Sequence, residues 1–468
     1  VERRLAIALC LSPLALSLPA LCDPFGNSEE SLNAAIWSLG AKNLVELGPG
    51  RALRGALVLP HGGTRGDGVY AHHPPLPVWL MTLPVALGGW EGFARLLGLG
   101  CACSALWLLW RLLLQHFEAR PALLGLAAAA TSVFALRYGR LFTTLTLATP
   151  LFLALLLVRK PHRGPNVGSP PGSPRHAIHW APLLVALLVL SSWDGVVAAG
   201  VVAFISVFEA ARGGVTSKAQ LAATGAAFVF ALGFVVWHLL DATGGVSELA
   251  WQFRWRAAGD DVTWAQWAGK QVLFLGEGLG PLSLLALCAA PFLATREQRP
   301  PLLLLAAPGL VMLVVFRQGA VKHAFWGYNL VLPAAFAVAQ VATRWPRAAA
   351  LVAAQALLLL GVAAYRLSEE HAQSQVGRVA QQLPRGAPVP VLARGSFHPY
   401  VSWYAGGKPV TVRKLSELPA AGDLALVDTE YARELGCAVP AGARWQILAL
   451  FELRKGCALI ADALPPLR

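Results

Sequence analysis

Eleven apolar stretches recur through this chain, at 5–22, 93–114, 121–136, 141–158, 180–193, 195–210, 219–240, 271–294, 301–317, 325–342 and 347–366. Hydrocarbon offers no partner to a bare backbone N–H or C=O, so such segments are expected to be helices that bond within themselves. The pattern predicts an α-helical polytopic membrane protein. Composition agrees: 56% of residues are hydrophobic and 13% charged, whereas a soluble domain carries roughly a quarter charged residues. A soluble globular enzyme, a disordered chain and a disulfide scaffold are excluded. Several stretches fall short of the ~20 residues needed to cross a bilayer, so their ends are soft. The first, Arg3-Arg4 followed by an apolar run to Cys22, resembles a signal peptide but is expected to stay as an uncleaved first helix, because many spans follow.

A further apolar piece, 74–88, opens with His73-Pro74-Pro75-Leu76. Its length and prolines suit a segment that dips into the membrane rather than crossing it. Charge supports this count. With the N-terminus inside, the inner loops 111–120, 159–179, 211–218, 295–300 and 343–347 are all basic, as cytoplasmic loops should be. Counting 74–88 as a span would invert everything after it. The net charge of +13, with 30 Arg against 8 Lys, is therefore read as topology and phosphate chemistry rather than nucleic-acid binding. The Ala, Leu, Gly and Arg richness points to a bacterial source, hence a multi-pass protein of the bacterial plasma membrane. Residues 1–366 form the expected transmembrane domain, with a first outer loop at 23–92. Residues 367–468 read as a small extracytoplasmic α/β domain, with β-like runs at 388–393, 409–412, 424–427 and 445–453 and a helix at 369–382. Inner residues 160–178 read as a Pro-Gly-Ser linker. Cys437 and Cys457 could pair if the tail is extracytoplasmic.

The outer segments carry the candidate chemistry. Glu29 and Glu30 open an expected amphipathic helix over 31–47, lying on the membrane. Acids there stabilise a helix N-terminus, and a partly desolvated carboxylate can also serve as a general base. Tyr70, His72 and His73 precede the rigid Pro-Pro, as a structural turn or as substrate contacts. Arg137 and Arg140 flank an outer turn against the positive-inside trend; they snorkel to headgroups or hold a phosphate. Asp194 follows Trp193 between two spans, as a turn residue or a site acid. Trp251 to Arg256 interleaves aromatics with Arg, which suits sugar stacking or, more readily, interfacial anchoring. Lys322, His323, Trp326 and Tyr328 enter the tenth span and add cations and rings at one edge. No Walker loop, dinucleotide fingerprint or metal-ligand spacing is present, so nucleotide-driven chemistry is unsupported.

These elements in this order resemble the GT-C glycosyltransferases of the family 39 type, which include protein O-mannosyltransferases and the aminoarabinose transferases of lipid A. The resemblance rests on the acid-bearing loop with Glu29-Glu30, the His73-Pro74-Pro75-Leu76 segment, the Ala94-Arg95-Leu96 helix start, the Gly139-Arg140 turn, and the run from Lys322 through Tyr328 to Pro333. It covers roughly 1–345. Two departures stand out: Glu-Glu where many relatives have Asp-Glu, and Leu141-Phe142-Thr143-Thr144 where many carry an acid. The resemblance implies a polyprenyl-phosphate sugar donor and an extracytoplasmic protein, lipid or polysaccharide acceptor. It implies catalytic roles for Glu29, Glu30 and Asp194, and phosphate binding by Arg137, Arg140, Lys322 and His323. Tyr70, His72, His73, Trp326 and Tyr328 would contact substrate. A divalent cation stays open as a cofactor. A lipid or solute transporter and an inactive scaffold of the same fold are the alternatives.

Overall fold

A computed structural model describes residues 1–18, 21–25, 29–56, 73–88, 91–139, 142–159, 180–211, 218–243, 245–257, 262–373, 380, 381, 383, 386, 389–392, 403, 409–411, 424–428 and 445–449. The contacts divide the chain into two units. One comprises Val1–Leu21, Ala71–Pro77 and Phe93–Leu367, the other Cys22–Tyr70, Val78–Gly92 and Ser368–Arg468.

The first unit is helical among its described residues. Its elements are α1 (Glu2–Ser17), most of α4 (Glu91–Leu113), α5 (Ala119–Ala130), α6 (Val133–Tyr138), α7 (Thr144–Arg159), α8 (Ala181–Ser191), α9 (Trp193–Ala211), α10 (Lys218–Thr243), α11 (Val246–Ala257), α12 (Trp264–Leu279), α13 (Pro281–Leu293), α14 (Arg299–Val315), α15 (Arg317–Lys322), a 3-10 segment (Ala324–Leu330), α16 (Val331–Arg344) and α17 (Ala348–Gln373). Among the described residues, four helical stretches are long and apolar enough to cross a membrane, Glu91–Leu113, Lys218–Thr243, Ala324–Arg344 and Ala348–Tyr365. Six further apolar helices are shorter.

Helix α16 is the core of this unit and is buried on almost every side. Small residues let α5 approach it closely, as small-residue faces do in membranes. A side chain at Gly125 would meet the Ala335 carbonyl oxygen, with Ala339 Cβ at 3.2 Å. Phe336 then receives Phe117 at 4.8 Å and His116 at 5.4 Å, both edge-on.

The structure corrects several straight spans. The stretch expected at 271–294 is two helices, α12 and α13, bent by 112°. Gly280 takes φ +83°, and Pro281 begins the next helix without an N–H. The freed N–H of Leu282 donates to Gln355 Oε1 at 2.6 Å, and Gln355 Nε2 donates to Ser283 Oγ at 2.8 Å. The expected span 121–136 breaks at Thr131-Ser132, where Ser132 Oγ accepts the Ala135 N–H at 3.1 Å. The expected turn at Trp193-Asp194 lies inside α9; the break is Ser192, whose Oγ accepts the Gly195 N–H at 2.8 Å. Parts of the expected outer loops 241–270 and 318–324 are helices α11, α12 and α15.

The second unit holds α2 (Glu29–Arg51), a short 3-10 turn (Leu53–Gly55), most of α3 (Leu76–Ala86) and strands β1 (Val389–Leu392), β2 (Pro409–Thr411), β3 (Leu424–Asp428) and β4 (Trp445–Ala449). The strand order is β2-β1-β3-β4, parallel except for the β3–β4 pair. Strands β1, β2 and β4 lie within the expected β-like runs, and β3 extends its run by one residue, to Asp428. Of the expected helix at 369–382, residues 369–373 are the end of α17; residues 374–379 and 382 lie outside the described residues, as do Cys437, Cys457 and the linker 160–178.

Helix α2 corrects the expectation of a surface-lying amphipathic helix. Every residue from Ala34 to Ala41 is buried, and Asn43 is 1% exposed. Small residues allow this: a side chain at Gly40 would meet the Gly55 carbonyl oxygen, and one at Gly55 would lie 2.5 Å from Val78 Cγ1 of α3. Leu53 and Arg54 adopt left-handed φ of 48° and 55°, a conformation costing about 1–3 kcal/mol per residue. The Arg54 carbonyl there accepts Trp79 Nε1–H at 3.1 Å. Helix α3 is eleven residues long, about 16 Å at 1.5 Å per residue, shorter than the ~30 Å hydrocarbon core of a bilayer. Trp403 packs on Phe25 at 5.9 Å and donates to Glu91 at 3.4 Å.

Gln355→Leu should strip two buried polar groups of their partner, each costing about 1–3 kcal/mol. Thermal unfolding in detergent should show a midpoint several degrees lower; an unchanged midpoint would mean that the α12–α13 break satisfies its backbone otherwise.

Candidate functional site

In the first unit the candidate residues gather around helix interruptions. Ser132 restarts the chain as α6, a helix of only six residues, which presents Arg137 and Tyr138. Lys322 ends α15, and His323, in extended backbone, leads into the 3-10 segment. Rings join the two elements. Phe325 stacks on His323 at 5.4 Å and meets Tyr138 edge-on at 6.2 Å. Tyr138 meets Tyr328 at 6.4 Å, and the Arg137 guanidinium lies 5.5 Å above the Tyr138 ring. The Arg of one interruption and the His of the other thus share one aromatic framework, and Lys322 directly precedes that His. Lys322 is exposed, while Arg137 and His323 are half-buried. A cation over an aromatic face keeps its charge available while its position is restrained.

Glycines make this framework possible. A side chain at Gly278 of α12 would collide with the Phe134 ring, and one at Gly327 would lie 2.8 Å from Leu275 Cδ2 and 2.9 Å from Phe134. Phe134 of α6 is thereby wedged between α12 and the 3-10 segment. Gln271 Nε2 donates to the Ala320 carbonyl at 2.8 Å and ties α12 to α15. Trp326 packs against Phe316 at 5.3 Å, and the Gly319 Cα gives it room. Arg317 lies 4.6 Å over Trp264, and Phe253 of α11 packs edge-on against Phe316 at 5.5 Å. The sequence reading missed Phe134, Tyr138 and Phe325 as supports. The glycines facing Phe134 were the available signal.

Of two further expected residues, Tyr328 supports this framework and Asp194 lies on α9. Tyr328 is only 6% exposed and meets Tyr138 edge-on, so it props the framework from inside. Asp194 lies in the first turn of α9, where the helix N-terminus favours a carboxylate. Its Oδ1 accepts Asn329 Nδ2–H at 2.7 Å.

Arg95, at the expected Ala94-Arg95-Leu96 helix start, is buried and donates to the Leu21 carbonyl at 3.0 Å. His73 is half-buried, and Pro74 and Pro75 after it are buried. Tyr70, His72 and Arg140 lie outside the described residues. In the second unit, Glu29 and Glu30 begin α2; their side chains are likewise outside the described set. Among the described residues, no group of three His, Cys, Asp or Glu is placed to hold a metal ion.

Residues 72–162 match a family model described as dolichyl-phosphate-mannose-protein mannosyltransferase. That match contains the His-Pro-Pro-Leu segment, Arg95 and the Arg137–Arg140 turn. The fold is similar to that of ArnT from Cupriavidus metallidurans bound to undecaprenyl phosphate, with a TM-score of 0.61 and 13% identity over 95% of this chain and 97% of that one. The apo form of the same protein gives 0.54 and 14% over 94% and 96%. An oligosaccharyltransferase from Archaeoglobus fulgidus, in complex with Zn and sulfate, gives 0.53 and 13% over 87% of this chain and 62% of that one. No curated protein matches the chain.

Gly327→Val should force Phe134 or Leu275 aside, and overpacking of this kind costs about 1–3 kcal/mol. Thermal unfolding should show the loss, and Phe134→Leu in the same chain should recover part of it. A full loss that Phe134→Leu leaves untouched would place the strain elsewhere.

Proposed function

We propose that this chain, which has the fold of the GT-C glycosyltransferases, moves a sugar from a polyprenyl phosphate to an extracytoplasmic acceptor hydroxyl. The observation that carries this reading is the full-length likeness to a structure holding undecaprenyl phosphate, together with a basic, aromatic cluster at the helix interruptions of the first unit. The leaving group of such a donor is already a phosphate, so its departure asks for cations and not for a nucleotide.

The acceptor oxygen attacks the anomeric carbon as the bond from that carbon to the phosphate oxygen breaks. The polyprenyl phosphate leaves with the electron pair, and configuration inverts in one displacement. Arg137, Arg140, Lys322 and His323 offset the charge that grows on the phosphate. Glu29 or Glu30 takes the acceptor proton. Tyr70, His72, His73 and Trp326 contact sugar or lipid, and Tyr328 supports them from the interior. The acceptor is a protein, a lipid or an envelope polysaccharide. No step is assigned to a divalent cation. The same reading takes eleven crossings with α3 dipping, the N-terminus cytoplasmic, residues 367–468 as an extracytoplasmic α/β domain, and a bacterial plasma membrane as the setting.

Purified protein in detergent, given a radiolabelled polyprenyl-phosphate sugar, should release or transfer the sugar slowly. The Glu29→Gln/Glu30→Gln double variant should lose on the order of 10²–10⁴-fold in rate and still bind undecaprenyl phosphate. Arg137→Gln and Lys322→Gln should each weaken that binding by roughly 10-fold or more, the size of one charge-assisted hydrogen bond, with a shallower salt dependence. Full turnover in the double Glu variant would remove the assigned base. Binding indifferent to both cation variants would remove the phosphate site.

A further inference from the structure

Asp194 is a carboxylate in the first turn of α9, a helix that is apolar from Val196 to Ile205 apart from its small residues. Its position is determined from two sides. On its own chain, Ser192 Oγ accepts the Gly195 N–H at 2.8 Å and Ser191 Oγ donates to the Leu188 carbonyl at 2.7 Å, so α9 starts at a fixed angle to α8. A side chain at Gly195 would collide with that same Leu188 carbonyl oxygen, which holds the two helices close. Across the unit, Asn329 donates to Asp194 at 2.7 Å over a sequence separation of 135 residues.

Asn329 is fixed from behind as well. A side chain at Gly309 of α14 would lie 3.3 Å from Asn329 Cβ and 2.9 Å from Leu330 Cδ2, so the 3-10 segment rests directly on the α14 backbone. Asp194 and Asn329 line a hollow of about 10 Å³ with Thr149, Phe152, Pro308 and Leu332, among others. That is about the room one water needs and is too small for a sugar or a phosphate. The 3-10 segment in which Asn329 is the last residue but one begins beside His323 and carries Phe325 and Trp326.

We propose that Asp194 and Asn329 are a positioning pair, one hydrogen bond that anchors the 324–330 segment to the start of α9 and so sets where His323 and Trp326 stand. The inference deepens the sugar-transfer reading above and rests on it for its kinetic part. It assigns Asp194 a role through Asn329, in place of direct work on substrate.

The two roles differ sharply under isosteric change. An Asn at 194 still offers an oxygen to Asn329, whereas a base or charge-bearing acid loses its function. Asp194→Asn should therefore keep turnover within about fivefold, against the 10²–10⁴-fold loss of a removed base. Asp194→Ala and Asn329→Leu should each lower kcat at least tenfold, with the KM for the polyprenyl-phosphate sugar rising less. The exchanged pair, Asp194→Asn with Asn329→Asp, should recover most of that loss, while Asn329→Asp alone sets two carboxylates face to face and should be the worst variant.

A second readout is independent of turnover. Hydrogen–deuterium exchange of full-length protein in detergent, followed on peptides covering 323–330, should quicken in Asp194→Ala and Asn329→Leu. It should stay as in the parent in Asp194→Asn and in the exchanged pair. A rate loss of 10²-fold in Asp194→Asn with unchanged exchange would overturn the proposal and make Asp194 a chemical participant. Parent-like exchange in both Asp194→Ala and Asn329→Leu would also overturn it. A parent protein that turns over no polyprenyl-phosphate sugar would sink the transfer reading, and the exchange data would still decide the pair.

Discussion

A backbone group set free where a membrane helix breaks has only the protein to bond with, because lipid tails offer neither donors nor acceptors. The first unit is organised around that constraint. Three of the described interruptions carry a side chain that satisfies the freed backbone: Ser132 for α6, Ser192 for α9, and Gln355 reaching from α17 into the Gly280-Pro281 break. The start of α7 is treated in the same way, with Thr143 N–H donating to Thr146 Oγ1 at 2.8 Å and Thr146 Oγ1 donating to the Thr143 carbonyl at 2.9 Å. Without these side chains, straight helices would be the cheaper solution, and the candidate residues would have no place to stand.

The interruptions and the chemistry coincide for a physical reason. A charged or ring-bearing polar side chain is costly in the middle of a span but tolerable at a helix end, where the chain turns and the dipole can favour it. Arg137 sits near the end of α6, Asp194 at the start of α9, and Lys322 and His323 between α15 and the 3-10 segment. What converts scattered helix ends into a site is the packing of Phe134, Tyr138 and Phe325, and that packing needs the bare backbone of Gly278 and Gly327. A buried, small-residue helix, α16, gives the whole arrangement a fixed centre.

Much of this was legible in the sequence, and the remainder was not for identifiable reasons. Apolar runs and β-like runs are local signals, so the membrane class, the short α3 after His73-Pro74-Pro75 and the places of all four strands could be read directly. Gly280-Pro281 is a recognisable stop-and-start signal, yet it lay inside an apolar run whose hydropathy overrode it. Its partner Gln355 lies 73 residues from Leu282, beyond the reach of any local pattern. Asn329 was invisible for the same reason. Helix α2 misled because Ala34, Ala35, Ser38 and Ala41 count weakly as apolar, whereas smallness, and not hydropathy, lets them be buried. Within the candidate site, residue types pointed to the cations, but nothing in their spacing revealed the rings that join them.

The contact of Trp403 with Phe25 and Glu91 has a consequence for biogenesis. Its hydrogen bond to Glu91 spans 312 residues, and at about 5–20 residues per second a ribosome needs roughly 15–60 s to cover that distance. For all that time Phe25, which ends with no solvent exposure, awaits the ring that will lie beside it. The second unit is therefore among the last parts of the molecule to be completed, although its first segment is among the earliest made. An apolar surface left open for that long is the kind of surface that a chaperone or a neighbouring membrane protein would have to shield.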